Sequence, residues 1–241
     1  AEVRQKIADV WIGKNADVES GISANRAEKE TAEKELEEVK AELSEWENQK
    51  EPQPERSEAV IRNRRRLDAL GIPYQEFYKV IEFGDNLDEE DCNRLEEALL
   101  KMGILDALVI DEQYKEQVLQ LKQGCEDHYL FSCKNVQKEL QPGKSLLDVL
   151  ELNEEVNDIF SNQRLTGILG SIAYDNESII TIAEDGTYRM GVLAGTVTGE
   201  YEAGFLGTKA RERHRQAKME ACRQRIAGLE EVLQQLEEMY R

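Results

Sequence analysis

Aromatic side chains are scarce in this chain, at 6% of 241 residues, and proline (4), cysteine (4) and histidine (2) are scarcer still. Few aromatics beside 34% charged residues excludes an ordinary globular composition, where roughly 25% is charged, and leaves disorder or long solvated helices. No apolar run approaches the about 20 residues of a membrane-spanning helix, so the expectation is no integral membrane protein. Cysteines at 92, 125, 133 and 222 do not form the dense framework of a secreted disulfide protein, and a reducing cytoplasm is the expected location. The chain opens at Ala1, without Met or a signal-type segment and in a helical pattern, and reads as a piece of something longer.

What is present settles the choice between disorder and helix. Met219, Cys222, Ile226, Leu229, Leu233, Leu236 and Tyr240 alternate spacings of three and four, the seam of a coiled coil. Ala32, Leu36, Val39, Leu43 and Trp46 repeat the pattern near the other end, with Ile22 on the same seam further back. Val3, Ile7 and Val10 predict a separate short helix before it, with Gly13 and Gly21 as interruptions, while Pro52 and Pro54 end the long one. Neither seam can be buried alone, so the two helices are expected to pair antiparallel. Trp46 then lies near Arg215–Met219, and Ile22 near Tyr240.

Between these arms the pattern changes. Helices are expected over 59–70, stopped by Gly71 and Pro73, from Asp88 to Met102, over 114–121 and over 145–152. Strands are expected at Ala107–Ile110 and His128–Ser132, and a hairpin at 178–192 around Asp185-Gly186. The fold class is therefore α+β: a small mixed-sheet domain (57–208) inserted in an antiparallel two-helix coiled coil, with arms at 1–56 and 209–241.

Several of these segments resemble the hinge of SMC-class chromosome-organising ATPases, specifically the MukB-like condensins. They are Asn86-Leu87-Asp88-Glu89-Glu90, Asp106-Ala107-Leu108-Val109-Ile110, Asp127-His128-Tyr129-Leu130, and Asp185-Gly186-Thr187-Tyr188-Arg189-Met190-Gly191 leading to Gly204-Phe205-Leu206-Gly207-Thr208-Lys209. With Leu70-Gly71-Ile72-Pro73 and Leu105-Asp106-Ala107-Leu108, the order is most similar to the JetC-type subunits of Wadjet anti-plasmid systems. The resemblance covers about 60–215. It implies a homodimerising hinge joining two arms far from their ATPase heads, in a complex that encircles DNA for plasmid defence or chromosome organisation. It also implies a bacterial, nucleoid- or plasmid-associated location. Hinges of this class bring glycines to the dimer contact; Gly191, Gly195 and Gly199 are the candidates here, with glycines serving only turns as the alternative.

The net charge of -19 is uneven. Residues 67–208 carry 28 acidic and 10 basic side chains, whereas 57–66 is net +3 and 209–225 net +5. Arg62, Arg64, Arg65, Arg66, Lys209, Arg211, Arg213, Arg215 and Lys218 are candidate contacts to DNA phosphates at a neck where arm meets domain. Neutralisation by neighbours such as Asp68 and Glu212 is the competing reading. The acidic body suits a protein partner better than a polyanion. Gly143-Lys144-Ser145 lacks the earlier glycine of a P-loop, with Lys138 in its place. Cys125, His128 and Cys133 lack a fourth ligand and a standard zinc spacing. No metal, cofactor or catalytic residue is expected. A non-enzymatic hinge is the leading reading; the alternative is a coiled-coil adaptor whose acidic head recruits a partner without self-association.

Overall fold

The computed structural model of the protein describes residues 2–48, 51–121, 124–131, 143–153 and 162–239. It divides into two compact units, one formed by Ala1–Glu51 with Arg215–Arg241 and the other by Pro52–His214.

The first unit is a helix pair. Helix α1 (Glu2–Glu47) is continuous through Gly13 and Gly21, so the expected break does not occur. A glycine costs about 1 kcal/mol against alanine in a helix, too little to stop one that is 46 residues long. Helix α7 (Thr208–Glu238) supplies the other strand of the coil. Val39 and Trp46 pack with Met219 and Cys222, flanked by Leu43, Ile226 and Leu229. Ala32 and Leu236 are buried and Leu36 and Leu233 half-buried, so both seams face inward. The antiparallel sense shows in the ion pairs Lys29–Glu237 (2.7 Å), Lys40–Glu230 (2.9 Å) and Glu47–Arg223 (3.3 Å), whose positions rise in α1 as they fall in α7. Exposed pairs of this kind contribute a few tenths of a kcal/mol each, so the apolar seam holds the coil and the charges only direct it. Ile22 is exposed, and Tyr240 lies outside the described residues.

The second unit is α+β. Helix α2 (Glu58–Leu70) starts on Ser57, whose hydroxyl accepts from the Val60 N–H. It stops at Gly71, where φ is +67° and the Ile72 N–H returns to the Leu67 carbonyl. Strand β1 (Tyr74–Glu76), the single turn α3 (Phe77–Val80) and β2 (Ile81–Phe83) follow. Helix α4 (Glu89–Lys101) is capped by Asp88 and buries Leu95, Ala98 and Leu99 in the main core with Phe77, Tyr78 and Ile81. Its end is fixed by Gly103 (φ +70°), where a Cβ would crowd the His128 ring.

Three small sheets complete the unit. Strand β3 (Leu108–Ile110) lies between β1, antiparallel, and β4 (Tyr129–Leu130), parallel. Helix α5 (Lys115–Leu119) connects them. Strand β2 pairs with β5 (Leu150–Leu152). The helix expected over 145–152 is a single 3-10 turn, Leu146–Asp148. Asp148 closes a capping box with Ser145 over that one turn, and Leu150–Leu152 then pairs with β2, gaining backbone bonds and burial that a helix would forgo. Helix α6 (Asn162–Leu169) leads to the third sheet, in the order β6 (Ala173–Tyr174), β7 (Ile180–Ile182), β8 (Thr187–Met190), β9 (Leu193–Thr196). The Asp185-Gly186 hairpin is present, closed by Ala183 N–H···Thr187 O (2.8 Å), with Gly186 at φ +81° in a three-residue loop. Of the strand expected at His128–Ser132 only Tyr129–Leu130 pair; His128 and Phe131 flank it without belonging to it, and Ser132 lies outside the described residues.

The segment 52–56 belongs to the globular unit because Pro52 and Pro54 are buried and Arg56 grips Asp106 through Nε (2.8 Å) and Nη2 (2.7 Å). Beside it, Arg64 donates to Asp106 (Oδ2 2.8 Å, backbone O 2.8 Å) and to Asp127 (Oδ2 3.1 Å). Both aspartates come from the segments that carry the family resemblance, and they fasten α2 to the ends of β3 and β4. Truncating a buried ion partner strands the others at about 3–5 kcal/mol. Arg64→Leu is therefore expected to lose about that much in chemical denaturation, while Arg65→Leu on the exposed face stays within about 0.5 kcal/mol.

Candidate self-association surface and arm roots

The third sheet has one covered edge and one open edge. Outside β6, the Tyr174 N–H binds Lys144 O (3.0 Å), the Leu146 N–H binds Ile172 O (3.0 Å), and Ser145 bridges to Ala173. On the other side β9 has no neighbour among the described residues. Which groups β9 presents follows from the ladder alternation. Ala183 N–H···Thr187 O and Gly191 N–H···Ile179 O (2.7 Å) direct Thr187, Arg189 and Gly191 toward β7. Tyr188 and Met190 therefore face their register partners Gly195 and Leu193, so the N–H and C=O of Ala194 and Thr196 point away from β8, where no strand lies among the described residues.

The tip of this hairpin is apolar. Ile179, Met190 and Leu193 are exposed, and Val192 is 106% exposed, fully outside the fold. Ile180, Met190 and Leu193 form one register row, of which only Ile180 packs on the core. Four exposed apolar side chains next to an unpaired strand edge mark a contact surface.

The three glycine candidates divide. Gly195 lies in β9 itself, with the Tyr188 phenol where a Cβ would stand. Gly191 (φ +62°) makes the β8–β9 turn, and Gly199 (φ +74°) lies beyond β9 with nothing near its Cβ position. Sequence reasoning missed the apolar tip; Val192-Leu193 directly after Gly191 was the available signal.

The candidate cations also divide. Arg64 is a correction to the phosphate-contact set. It is 6% exposed and held by Asp106 and Asp127. Burial works against its charge, but hydrogen bonds to those aspartates keep its pKa above the usual arginine value. Arg62 donates to the Gly124 carbonyl (3.2 Å). Arg211 donates to Phe205 O (3.2 Å), and Arg213 to Glu89 (2.6 Å) and Ala203 O (3.3 Å). Arg215 is half-buried. Arg65, Arg66, Lys209 and Lys218 are exposed, with no ion pair to a carboxylate among the described residues.

A second feature was illegible in the sequence, where acidic pairs in α4 look like solvated surface. Glu96 is 0% exposed and accepts from Gly204 N–H (2.8 Å), Leu206 N–H (2.7 Å), Phe205 N–H (3.2 Å) and the Tyr201 hydroxyl (2.7 Å). Glu97 accepts from the Thr198 N–H (3.1 Å) and hydroxyl (2.9 Å), and Asn93 from the Ala203 N–H (2.8 Å). Burial pushes the Glu96 pKa up, against the four donors, which favour the charged form. The Tyr201 phenol is pushed above its usual range by burial and by the Glu96 charge, and stays a donor.

Ser145 binds Asp148 through its backbone N–H (2.7 Å), and Lys144 lies 3.9 Å from Glu184. Cys133 is outside the described residues, His128 lies against Gly103, and no cluster of three His, Cys, Asp or Glu suited to a metal occurs among those described. No helix among them is long and apolar enough to cross a membrane.

A cleft of about 400 Å³ between the starts of α4 and α7 is lined by Phe83, Leu87, Leu206 and Cys92 under the carboxylates of Glu82 and Asp88. Burial, then Asp91 and Asp88, push the Cys92 thiol up to about 11 from an ordinary 9.0. At pH 8 its alkylation is expected to run about a hundredfold slower than that of a free cysteine peptide, and Asp88→Asn recovers part of that rate.

No protein-family model and no curated protein matches the chain. Solved structures similar to it include two SMC hinge domains. One is a Pyrococcus furiosus Smc hinge domain with an extended coiled coil, at 21% identity, covering 99% of this chain and 89% of that one, with a TM-score of 0.40. The other is an asymmetric dimer of the Geobacillus stearothermophilus SMC hinge domain, at 14% identity, covering 91% and 96%, with a TM-score of 0.40. At these TM-scores the likeness assigns neither fold nor role by itself.

Proposed function

We propose that the chain is the homodimerisation hinge of an SMC-like ATPase of the MukB or JetC type, joining two coiled-coil arms in a DNA-encircling complex. The observation that carries this reading is the open edge of β9. It belongs to an α+β unit inserted in the chain between the two helices of an antiparallel coil, and it bears an apolar tip. The order of sequence segments shared with the MukB-like hinge supports the same reading.

The contact has a definite geometry. A second copy docks its own β9 antiparallel on the first, so that Ala194 and Thr196 exchange backbone hydrogen bonds across a two-fold axis near Gly195. Gly195 then occupies a non-hydrogen-bonded pair, where facing Cα atoms approach to about 4.5 Å. Met190, Val192 and Leu193 flank the added strands and bury their apolar surface. The role is mechanical and non-enzymatic; ATP hydrolysis belongs to heads outside this sequence, and plasmid defence is the setting that the JetC resemblance favours.

Sedimentation equilibrium over a hundredfold concentration range is expected to give a mass near twice 27.6 kDa. Val192→Glu weakens association at least a hundredfold, because an unpaired carboxylate is desolvated at the contact. Thr196→Pro acts similarly by removing an edge donor. Wild-type protein that stays monomeric at tens of micromolar overturns this reading in favour of an adaptor recruiting a different protein to the acidic body.

A weaker, sequence-blind DNA contact rests on Arg65 and Arg66 of α2 and on Lys209 at the start of α7, all exposed. If Arg65 and Arg66 each neutralise a phosphate, their double alanine variant lowers the log–log salt slope of binding to duplex DNA by about 2. An unchanged slope removes the contact.

A further inference from the structure

Residues 198–206 leave the open strand at one end and enter α7 at the other, and none of them belongs to a helix or strand. Backbone donors along this segment are taken by Asn93, Glu96 and Glu97 of α4. Those three positions fall at i, i+3 and i+4, one face of one helix. Around them, Leu95, Ala98, Leu99 and Met102 are fixed in the main core. A rigid core helix thus holds both ends of a strap that has no ladder of its own.

The two ends are tightly joined to their neighbours. Val197 N–H···Gly186 O (3.2 Å) is the last bond of the β hairpin, and Thr198, the next residue, is already on Glu97. At the far end the Leu206 N–H is on Glu96, two residues before α7 begins. From the first turns of α7, Arg211 and Arg213 bind back to the Phe205 and Ala203 carbonyls. The His214 ring lies 5.4 Å from the Phe205 ring and fills the space where Gly204 would carry a Cβ.

We infer that 198–206 is a carboxylate-latched strap that couples the β9 edge to the root of α7, through the adjacent anchors Glu96 and Glu97. The role of the β9 edge in this coupling rests on the hinge reading above; the latch itself does not. In the latched form the strap donors sit on α4. In the released form they are solvated, and both the end of β9 and the first turns of α7 lose an anchor. Pairing of a second copy on β9 then favours the latched form, and a latched strap anchors the first turns of α7, 208–214.

Amide hydrogen exchange of the full chain tests the coupling. Glu97→Gln touches only the β9 end of the strap, yet it is expected to speed exchange about tenfold at 204–206 and at 211–214 as well as at Thr198. Tyr201→Phe removes one donor from Glu96 without stranding a carboxylate, and is expected to speed exchange at Gly195 and Val197. Thr198→Ala gives the same outcome as Glu97→Gln in milder form, should that variant fold poorly. Effects confined to each variant's own end overturn the latch. So does an equal rise at the core amides of Leu95 and Leu99, which reports ordinary loss of stability. Sedimentation of the same variants separates the two readings. A monomeric wild type with propagating exchange removes the hinge and keeps the latch, whereas a dimeric wild type with purely local exchange removes the latch and keeps the hinge.

Discussion

The backbone donors of residues 204–206 are buried or half-buried, have no strand to pair with, and precede a helix of 31 residues. Everything around the exit of the globular unit depends on how those donors are satisfied. Glu96 does it with one carboxylate, and Glu97 and Asn93 extend the same solution toward β9. An unsatisfied buried N–H costs about 1–3 kcal/mol, so three left open would remove much of a domain's net stability. The path of 198–206 into the first turn of α7 is therefore set by side chains of α4. Local preference in the connecting loop does not decide it.

The entry side uses the opposite charge. There Arg56 and Arg64 converge on Asp106, with Glu76 and Asp127 around them, binding the 52–56 segment and α2 to the first sheet. Guanidinium forks suit this place because the acceptors are carboxylates and a carbonyl on separate segments, and one planar group can reach several of them. The exit needs acceptors, because what converges there is backbone N–H. A few of the acids of 67–208, namely Glu76, Glu96, Glu97, Asp106 and Asp127, are thus internal wiring. In the third sheet β6 is covered and β9 has no neighbour among the described residues, and the β9 side carries the apolar tip.

Local rules made much of this legible. Seam spacings of three and four gave both coil helices and their pairing, because an apolar stripe too narrow to be covered alone needs a partner stripe. Gly71 and Asp88 marked helix ends through caps that depend on neighbours within a few residues. Asp185-Gly186 marked the hairpin for the same reason. Gly13 and Gly21 misled because helix breaking is a matter of summed propensity, and a long helix absorbs two glycines. The segment 145–152 misled because its helical pattern competes with pairing to β2, about 70 residues away in the chain. Arg64 looked equivalent to Arg62, Arg65 and Arg66, and differs only in which face of α2 meets Asp106 and Asp127.

The sequence by itself determined the two coil seams, the helices at 59–70 and from Asp88 to Met102, the strand ending at Ile110, the Asp185-Gly186 hairpin and the α+β class, since each follows from periodicity or from a turn or capping residue acting over a few positions. Tertiary structure alone decided which charges are buried, which sheet edge stays open, and which of Gly191, Gly195 and Gly199 lies on that edge. Those outcomes depend on contacts between residues distant in sequence, as between Glu96 and Gly204. A carboxylate meant for solvent and one meant for a buried N–H have the same one-letter code.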